Sequence, residues 1–411
     1  MADNLWLGRA EPTAEIYTIT IGGTWVAADT VTVTIGGADL VLVVGSTVTT
    51  TAIASALKAA LAGESLVGDE SRNQVGSNIA QFSGITPTVS GSVVTLTGTD
   101  GIPFTMSVAK SSTSGTVSGS NTQDATGPNH VDNADNWSDG VPNAGDAVYV
   151  GLGLPALRYG LDQISGTLLS FTTSGGQNAT EIGLPEVNVA GYAEYLPTYL
   201  SIDCTTVNLG VGSDGAGGAS LQKIDAGSVQ TTLNIYGSGQ SSVPSQRAIQ
   251  WKGTHASNVI NQYAGELAIA QYGSEVATVA TLNVFSQASA CDIGSGVTLT
   301  TLNVQDATVK NNGNAFTTLT MNGGTVTVLG SAAMTTVTVH YGTFNYRSSG
   351  TITNLNVGGK GTGLVSTDGD ARSKTVTNAT VKRGGQIVDK GTITYTNNIA
   401  FDSDVTQISA A

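Results

Sequence analysis

Short runs of alternating apolar and polar residues fill the chain, and one of them recurs throughout its second half. In Leu302-Asn303-Val304 two apolar residues flank an asparagine, and successive side chains of a strand point to opposite faces. One or two threonines precede most copies of this pattern. The first apolar residues of the copies are Val207, Leu233, Leu282, Leu302, Leu319, Val337 and Leu355.

The copies from Leu282 to Leu355 follow one another at intervals of 20, 17, 18 and 18 residues, with turn-forming residues between them. Intervals of this size suit one turn of a β-solenoid, whereas a propeller blade needs about 40 residues and a leucine-rich repeat needs a different leucine pattern. We therefore predict a mainly β chain whose C-terminal part is a right-handed parallel β-helix. Its roughly ten turns would each rise about 4.8 Å.

The pattern also assigns the two faces of the repeated strand. One inward column is predicted to contain Leu302, Leu319, Val337 and Leu355. The outward column is uncharged and consists of Asn208, Asn234, Asn283, Asn303, Thr320, Thr338 and Asn356. Two interpretations of this column are open: a hydrogen-bonded ladder that supports the sheet, or a face that contacts another copy of the chain. The second is considered because a solvated face normally carries more Lys and Glu.

The sequence upstream of the repeat divides into further regions. Residues 16–112 indicate a small α+β module, because strand-like segments flank "TTTAIASALKAALAG", whose apolar residues recur at helical spacing. Residues 113–129 contain almost no large apolar residue, which is typical of a linker. Residues 1–15 are predicted to form an extended N-terminal arm, and residues 130–411 the β-helix with a C-terminal cap. Three tyrosines are expected to cover the open first turn, with a binding patch as the alternative: Tyr192, Tyr195 and Tyr199.

Composition and charge narrow the classes of function. Glycine contributes 53 of the 411 residues and charged residues only 11%, which favours strands and turns. A net charge of -14, with 16 Lys and Arg spread singly, argues against nucleic-acid binding. The longest apolar run, Leu40 to Val44, is too short to cross a bilayer, and no signal peptide is recognised, so we expect synthesis in a cytoplasm. Cys204 and Cys291 are predicted to be buried and reduced.

The spacing of the carboxylates does not indicate catalysis. Glu266, Asp292 and Asp306 lie at different offsets within their turns, so they are not expected to gather as the acids of polysaccharide-cleaving β-helices do. The acidic clusters at 132–146 and 368–370 lack calcium-loop patterns and are explained by turns that aspartate stabilises. We therefore predict no catalytic residue, no cofactor and no metal site.

The order of these segments resembles a group of tailed-phage virion proteins. The resemblance rests on the leader NLWLGRAEPTAE, the small α+β module, the entry segment NWSDGVPNAGD and an irregular β-helix, and it covers nearly the whole chain. Similar entry segments also occur in bacterial surface β-helix proteins. The resemblance implies a homotrimer attached either to the capsid, as a decoration or cement protein, or to the tail, as a spike or fibre.

The expected function is therefore capsid decoration, with a tail spike or fibre as the alternative and a polysaccharide-degrading enzyme or bacterial adhesin as less favoured ones. An aromatic content of 6% favours the capsid over a receptor-binding spike. The expected partners are further copies of the chain, the major capsid protein and, for a spike, a host surface glycan. The expected location is the capsid surface of the virion. The arm residues predicted to contact the capsid are Leu5, Trp6, Leu7 and Pro12.

Overall fold

The computed structural model describes residues 3–162, 166–176, 179–184, 198–212, 220–239, 241 and 246–402. The chain is mainly β, with 49% strand and 6% helix, and its C-terminal region is a parallel β-solenoid of about 11 turns. A small β-rich domain precedes the solenoid. The predicted parallel β-helix after a small N-terminal module is therefore confirmed.

The N-terminal module consists of two antiparallel four-stranded sheets and one helix around a shared apolar core. After β1 (Asp3–Leu5), which belongs to the solenoid, its elements are β2 (Ile16–Gly23), β3 (Thr30–Ile35), β4 (Ala38–Val43), α1 (Thr50–Ala62), β5 (Ser71–Arg72), β6 (Thr86–Ser90), β7 (Val93–Thr97), β8 (Met106–Lys110) and β9 (Gly115–Gln123), with 3-10 turns at Gly76–Asn78 and Ala80–Phe82. The strand orders are β6-β7-β2-β9 and β5-β4-β3-β8.

Helix α1 forms where the helical spacing of apolar residues predicts it. The Thr49 side chain accepts a hydrogen bond from the Ala52 amide at 3.3 Å and so caps the N-terminus. Gly63 ends the helix with a φ of 75°, a left-handed conformation that glycine adopts without steric cost. Ile53 and Leu57 point into the core of the module and are buried.

The segment expected to be a linker differs in the structure, since residues 115–123 form strand β9. This strand pairs with β2 from Gly23↔Gly115 to Ile16↔Gln123. Most of its side chains are exposed, so backbone hydrogen bonds rather than apolar burial hold it at the edge of the sheet. An absence of large apolar residues therefore did not indicate an absence of structure here.

The solenoid contains β1 and the remaining strands. These are β10 (Ala147–Val150), β11 (Leu168–Ser174), β12 (Leu200–Ser201), β13 (Cys204–Val211), β14 (Gln222–Asp225), β15 (Thr232–Ile235), β16 (Ile249–Lys252), β17 (Val259–Gln262), β18 (Gly265–Ile269), β19 (Ala277–Phe285), β20 (Ser289–Ile293), β21 (Val297–Gln305), β22 (Thr308–Asn311), β23 (Phe316–Val328), β24 (Met334–Tyr346), β25 (Thr351–Val357), β26 (Gly363–Ser366), β27 (Lys374–Val381), β28 (Gly385–Val388), β29 (Ile393–Tyr395) and β30 (Ala400–Phe401), with a 3-10 turn at Ala134–Asn136. Residues 403–411, at the end of the range expected to form the β-helix with its C-terminal cap, lie outside the described part.

Strands of successive turns pair in parallel and form two long arrays. The first sheet contains β1, β10, β11, β13, β15, β17, β19, β21, the first halves of β23 and β24, β25, β27, β29 and β30. The second sheet contains β12, β14, β16, β18, β20, β22, the second halves of β23 and β24, β26 and β28. Strand β23 bends between the sheets at Gly323, which has a φ of 123° and where a Cβ would overlap the Asp306 carboxylate.

One apolar column runs through the interior of the first sheet. Leu302, Leu319, Val337 and Leu355 occupy the same register position in consecutive turns, and none is more than 1% exposed. Earlier turns continue the column with Val148, Phe171, Val207, Leu233, Ile260 and Leu282. Burial of each such side chain stabilises the fold by roughly 2 kcal/mol.

The first residues of the chain close the N-terminal end of the solenoid instead of forming a free arm. Strand β1 pairs in parallel with β10, and its outer edge is covered by residues 136–140 of the entry segment. The Trp6 ring meets Trp137 edge-on with 4.9 Å between the ring centroids. Both indole N–H groups donate to backbone carbonyls, at 2.8 and 2.7 Å. This arrangement covers a strand edge that would otherwise be open to pairing with another chain.

A single buried amide joins the leader to this cap. The Nδ2 of Asn136 donates to the carbonyls of Gly127 and His130, both at 2.8 Å, and its Oδ1 accepts from the Ala10 amide at 2.8 Å. The carbonyl of Asn136 accepts from the Leu7 amide at 2.7 Å. The leader and the segment 127–136 therefore meet at one side chain, although Ala10 and Asn136 are 126 residues apart.

The module is an insertion between β1 and β10. Its two connections to the solenoid run side by side, because the Thr13 amide donates to the carbonyl of Thr126 at 2.9 Å. Ile102 of the module packs on Tyr159, and the Nε2 of His130 donates to the Gly101 carbonyl at 3.1 Å. The module is therefore attached at the capped end of the solenoid.

Leu319→Asp is expected to prevent folding of the solenoid, because it buries an unpaired carboxylate between apolar side chains of the adjacent turns. A cost of about 4 kcal/mol or more is typical of this kind of change. Thr317→Asp, two residues away and exposed, is the matched control and should melt like the wild type. Circular dichroism with thermal unfolding measures both, and native-like melting of Leu319→Asp would contradict the register.

Asn136→Ala is expected to destabilise the chain by about 3 kcal/mol, because two buried carbonyls and one buried amide lose their partner. Asn143→Ala, at an exposed position of the same segment, is the control. Urea unfolding followed by tryptophan fluorescence reports on the site, since Trp6 and Trp137 lie beside it. Equal unfolding midpoints for the two variants would argue against the role of this amide.

Candidate functional site

The outward side of the first sheet carries two adjacent columns that contain no charged residue from β10 to β30, and Asp3 of β1, at the base of the second column, is the one charged member among the described turns. We call these two columns the neutral face. The first column consists of Leu5, Tyr149, Thr172, Asn208, Asn234, Asn261, Asn283, Asn303, Thr320, Thr338, Asn356, Thr380 and Ala400. The second consists, above Asp3, of Ala147, Ser170, Thr206, Thr232, Val259, Thr281, Thr301, Thr318, Thr336, Asn354 and Asn378. The threonine that directly precedes the first apolar residue in most copies of the repeat, such as Thr301 before Leu302, belongs to this second column.

Five asparagines of the first column form a hydrogen-bonded ladder within the chain. The Nδ2 of each member after the first donates a hydrogen bond to the Oδ1 of the asparagine one turn earlier. The four distances, taken along the chain from Asn234 to Asn303, are 3.0, 3.0, 2.8 and 2.9 Å. The members are Asn208, Asn234, Asn261, Asn283 and Asn303. A side-chain amide has two N–H donors and two oxygen lone pairs, so the ladder leaves one donor and one lone pair of each inner amide for another partner. The ladder and the contact-face interpretations of this column are therefore compatible.

Asn261 is the ladder member that the sequence pattern missed. Val259 stands where the other ladder turns have a threonine, so the Thr-apolar-Asn pattern is broken at this turn. The alternation in Val259-Ile260-Asn261 still carries the signal, because Ile260 is buried and Asn261 points outward. A second, shorter ladder links Asn354, Asn378 and Asn397 at 2.9 and 2.7 Å.

Three aromatic residues form a rib beside the asparagine ladder, and we call them the aromatic rib. Tyr236, Tyr263 and Phe285 each follow a ladder asparagine by two residues and so lie on the same side of the sheet. Their rings stack with centroids 5.3 and 5.4 Å apart and planes within 16° and 14° of each other. Tyr236 is 42% exposed and Tyr263 41% exposed. The repeat pattern did not predict a role for these aromatic residues, because they lie at or just beyond the end of each strand, outside the repeated residues.

The second sheet has a different surface, since charged residues pair across its turns. Lys252 contacts Asp225 at 3.2 Å. Arg247 contacts Glu266 at 3.5 Å and Asp292 at 2.8 Å. The lack of charge on the neutral face is therefore specific to that side of the rod, rather than a property of every outward position.

Glu266 and Asp292, which the sequence offsets kept apart, thus meet at one guanidinium. The Asp292 hydrogen bond raises the pKa of Arg247 above its already high value. Asp306 is not part of this group and lies at a turn, with a φ of 57°. The sequence offsets failed for the first two acids because they occupy different register positions of adjacent strands, Glu266 beside Ala290 and Asp292 beside Ala268. The long Arg247 side chain reaches both.

Tyr199 is buried beside the second sheet. Its ring lies 4.6 Å from the Nζ of Lys223 and 4.5 Å from the Nζ of Lys252, and its hydroxyl donates to Gln250 at 3.1 Å. A cleft of about 360 Å³ adjoins it, lined by Thr198, Tyr199, Asp225, Lys252, Gly253, Thr254, Ser274, Glu275 and Val276. Tyr192 and Tyr195, expected to cover the first turn together with Tyr199, lie outside the described residues.

The predicted contact residues of the N-terminal arm have different environments. Trp6 is 1% exposed inside the cap, and Leu7 is half-buried. Leu5 is 45% exposed at the base of the neutral face, and Pro12 is exposed. Trp6 is therefore a core residue of this chain, because its indole fills the space above the first turn and its N–H is satisfied there.

Exposed valines lie in loops at the end of the module that is distant from the solenoid. Strand β2 starts beside the connection to the solenoid and ends at Gly23, so the loops 24–29, 44–48 and 64–70 form the opposite end, which we call the module tip. Val26 is 63% exposed and Val67 85% exposed. Large exposed apolar side chains of this kind are typical of contact sites when they lie close together.

Asn283→Ala is expected to cost about 2 kcal/mol, because two ladder hydrogen bonds of about 1 kcal/mol each are lost. Asn261→Ala should have a similar effect. The double variant should cost less than the sum, since the two residues share one bond. Urea midpoints of the three variants measure this, with the exposed Asn322→Ala as control, and additive losses would argue against a coupled ladder.

Within the described ranges, no group of three or more His, Cys, Asp or Glu side chains is arranged to hold a metal ion. No helix in that part of the chain is both long enough and apolar enough to cross a membrane. Comparison of the chain with protein-family models, curated proteins and solved structures found no match.

Proposed function

We propose that the chain is a structural protein of a tailed-phage virion that decorates or cements the capsid surface as a homotrimer. In this proposal it is made in the host cytoplasm and has no enzymatic activity. The proposal combines the resemblance of the leader and entry segment with the geometry of the solenoid. The observation that carries it is the insertion of the module at the capped end, which gives a rod of about 50 Å a single attached domain at its base.

The module tip is the surface that would contact the major capsid protein. The leader residues are less suited to this role, since Trp6 is held inside the cap. Val26 and Val67 are instead exposed at the end of the module that is distant from the rod. Attachment at the tip would therefore leave the rod pointing away from the capsid surface.

The arrangement of the charged side chains supports a structural role for the rod. The carboxylates of Glu266 and Asp292 are both engaged by Arg247. Charge pairs of this kind across turns stabilise a stack when they form a network, although an isolated surface pair contributes about 0 to 1 kcal/mol. The buried apolar column and the asparagine ladder also stabilise the stack of turns, because both join one turn to the next.

A tail spike or fibre that binds a host glycan is the alternative function. The cleft beside Tyr199 favours it, since hydroxyl groups, carboxylates and an ammonium group line one concave site. Threonine hydroxyls and Glu275 could hydrogen-bond a sugar there. This second function predicts binding at the cleft rather than at the module tip.

The double variant Val26→Glu/Val67→Glu is expected to lose at least tenfold in affinity for undecorated capsids, because two carboxylates enter an apolar contact. Val276→Glu, which changes a 59% exposed valine at the cleft, is the matched control and should bind capsids normally. Cosedimentation of the full chain with capsids and with purified tails measures both. Binding to tails alone, or capsid binding that the double variant retains, would reject capsid decoration through the tip.

A further inference from the structure

We infer that copies of this chain meet on the neutral face and the aromatic rib, with their rods side by side and running in the same direction. The inference deepens the proposed function and rests on it for the number of copies, which is three. It adds the surface of contact and the residues that hold it.

Charge restricts which sides of two copies can approach each other. Each chain carries a net charge of -14, so two copies repel when their charged sides meet. The second sheet has charge pairs on its outward side, whereas the two columns of the neutral face, apart from Asp3 at their base, contain only Thr, Ser, Asn, Val, Tyr, Leu and Ala. Depletion of charged residues at the centre and enrichment of aromatic residues are features of protein interfaces.

The spacing of the repeat favours another copy of the chain as the binding partner of the neutral face. The ladder presents one unused amide donor and one unused acceptor per inner member, at the spacing of parallel strands, about 4.8 Å. A rod of the same chain carries the same groups at the same spacing. When copies are related by rotation about an axis parallel to the rods, equal turns face each other, so each amide meets a partner at its own level.

The stacking of the aromatic rib argues against a sugar as the ligand of this surface. Sugar rings pack on the faces of aromatic rings, but the faces of Tyr263, the middle ring, are occupied by Tyr236 and Phe285, with centroids 5.3 and 5.4 Å away. The rib therefore presents ring edges and tyrosine hydroxyls outward. Such edges suit packing against another protein surface, where aromatic side chains contribute strongly to binding.

The first test measures the mass of the full chain by light scattering and sedimentation. The wild type is expected at three times the chain mass of 41.5 kDa. Tyr263→Glu places a carboxylate in the middle of the rib and should reduce the mass to one chain. Its position is 41% exposed, so the variant should still fold and keep the far-UV circular dichroism spectrum of the wild type. Val67→Glu at the module tip is the control and should remain trimeric.

The second test uses cysteine crosslinking and does not depend on weakening the contact. Thr301→Cys lies on the neutral face, whereas Thr308→Cys lies on the second sheet of the same turn. A short bismaleimide should join copies of the first variant and leave the second as single chains. The native thiols do not interfere, because Cys204 and Cys291 are buried and burial raises the pKa of Cys204 to about 11.

The results separate this inference from the proposed function. A trimer that crosslinks through Thr301→Cys and ignores capsids supports the contact surface and rejects capsid decoration. A monomeric wild type, or a trimer that survives Tyr263→Glu and crosslinks through Thr308→Cys, overturns the contact surface. Binding of a neutral polysaccharide to a monomer, lost in Tyr263→Glu, would also overturn it and assign the face to a glycan.

Discussion

The parallel register of the turns is the constraint on which the rest of this structure depends. Each side chain of a sheet lies above its equivalent in the previous turn, so one residue type can stack with itself along the rod. Inside, this produces the column from Val148 through Leu355. Outside, it brings the amides of successive turns to within 2.8 to 3.0 Å, and the asparagine ladder follows. A shift of one residue would exchange the two faces and place the amides in the core.

A stack of parallel strands has an open edge at each end, and the N-terminal edge determines how the chain begins. The leader supplies β1, and the entry segment covers its outer side with Trp137 against Trp6 and with the Asn136 amide. This closure determines where the module extends from the solenoid, since the two segments that connect the module pair next to the cap through Thr13 and Thr126. The cap and the placement of the module thus have one physical origin, the need to pair a strand edge.

The same register separates the surface chemistry of the rod into distinct sides. Paired charges gather on the second sheet because Arg247 reaches acids in neighbouring turns, and hydroxyl and amide groups gather on the first. The proposed attachment at the module tip and the proposed contact on the neutral face use different surfaces. A copy can therefore take part in both contacts at once, and the cleft beside Tyr199 lies at the second sheet rather than on either contact surface.

The sequence by itself determined the parallel solenoid, its inward column, most of its asparagine column and helix α1, because these depend on local periodicity that a repeat displays many times. Only the tertiary structure decided the features that depend on contacts between distant segments. The leader became a cap because Trp6 meets Trp137, and residues 115–123 became a strand because β2 offered an edge. Glu266 joined Asp292 because the Arg247 side chain reaches acids on two adjacent strands. The aromatic rib belongs to the same class, since Tyr236, Tyr263 and Phe285 are separated by unequal intervals in the chain and become neighbours only when the turns stack.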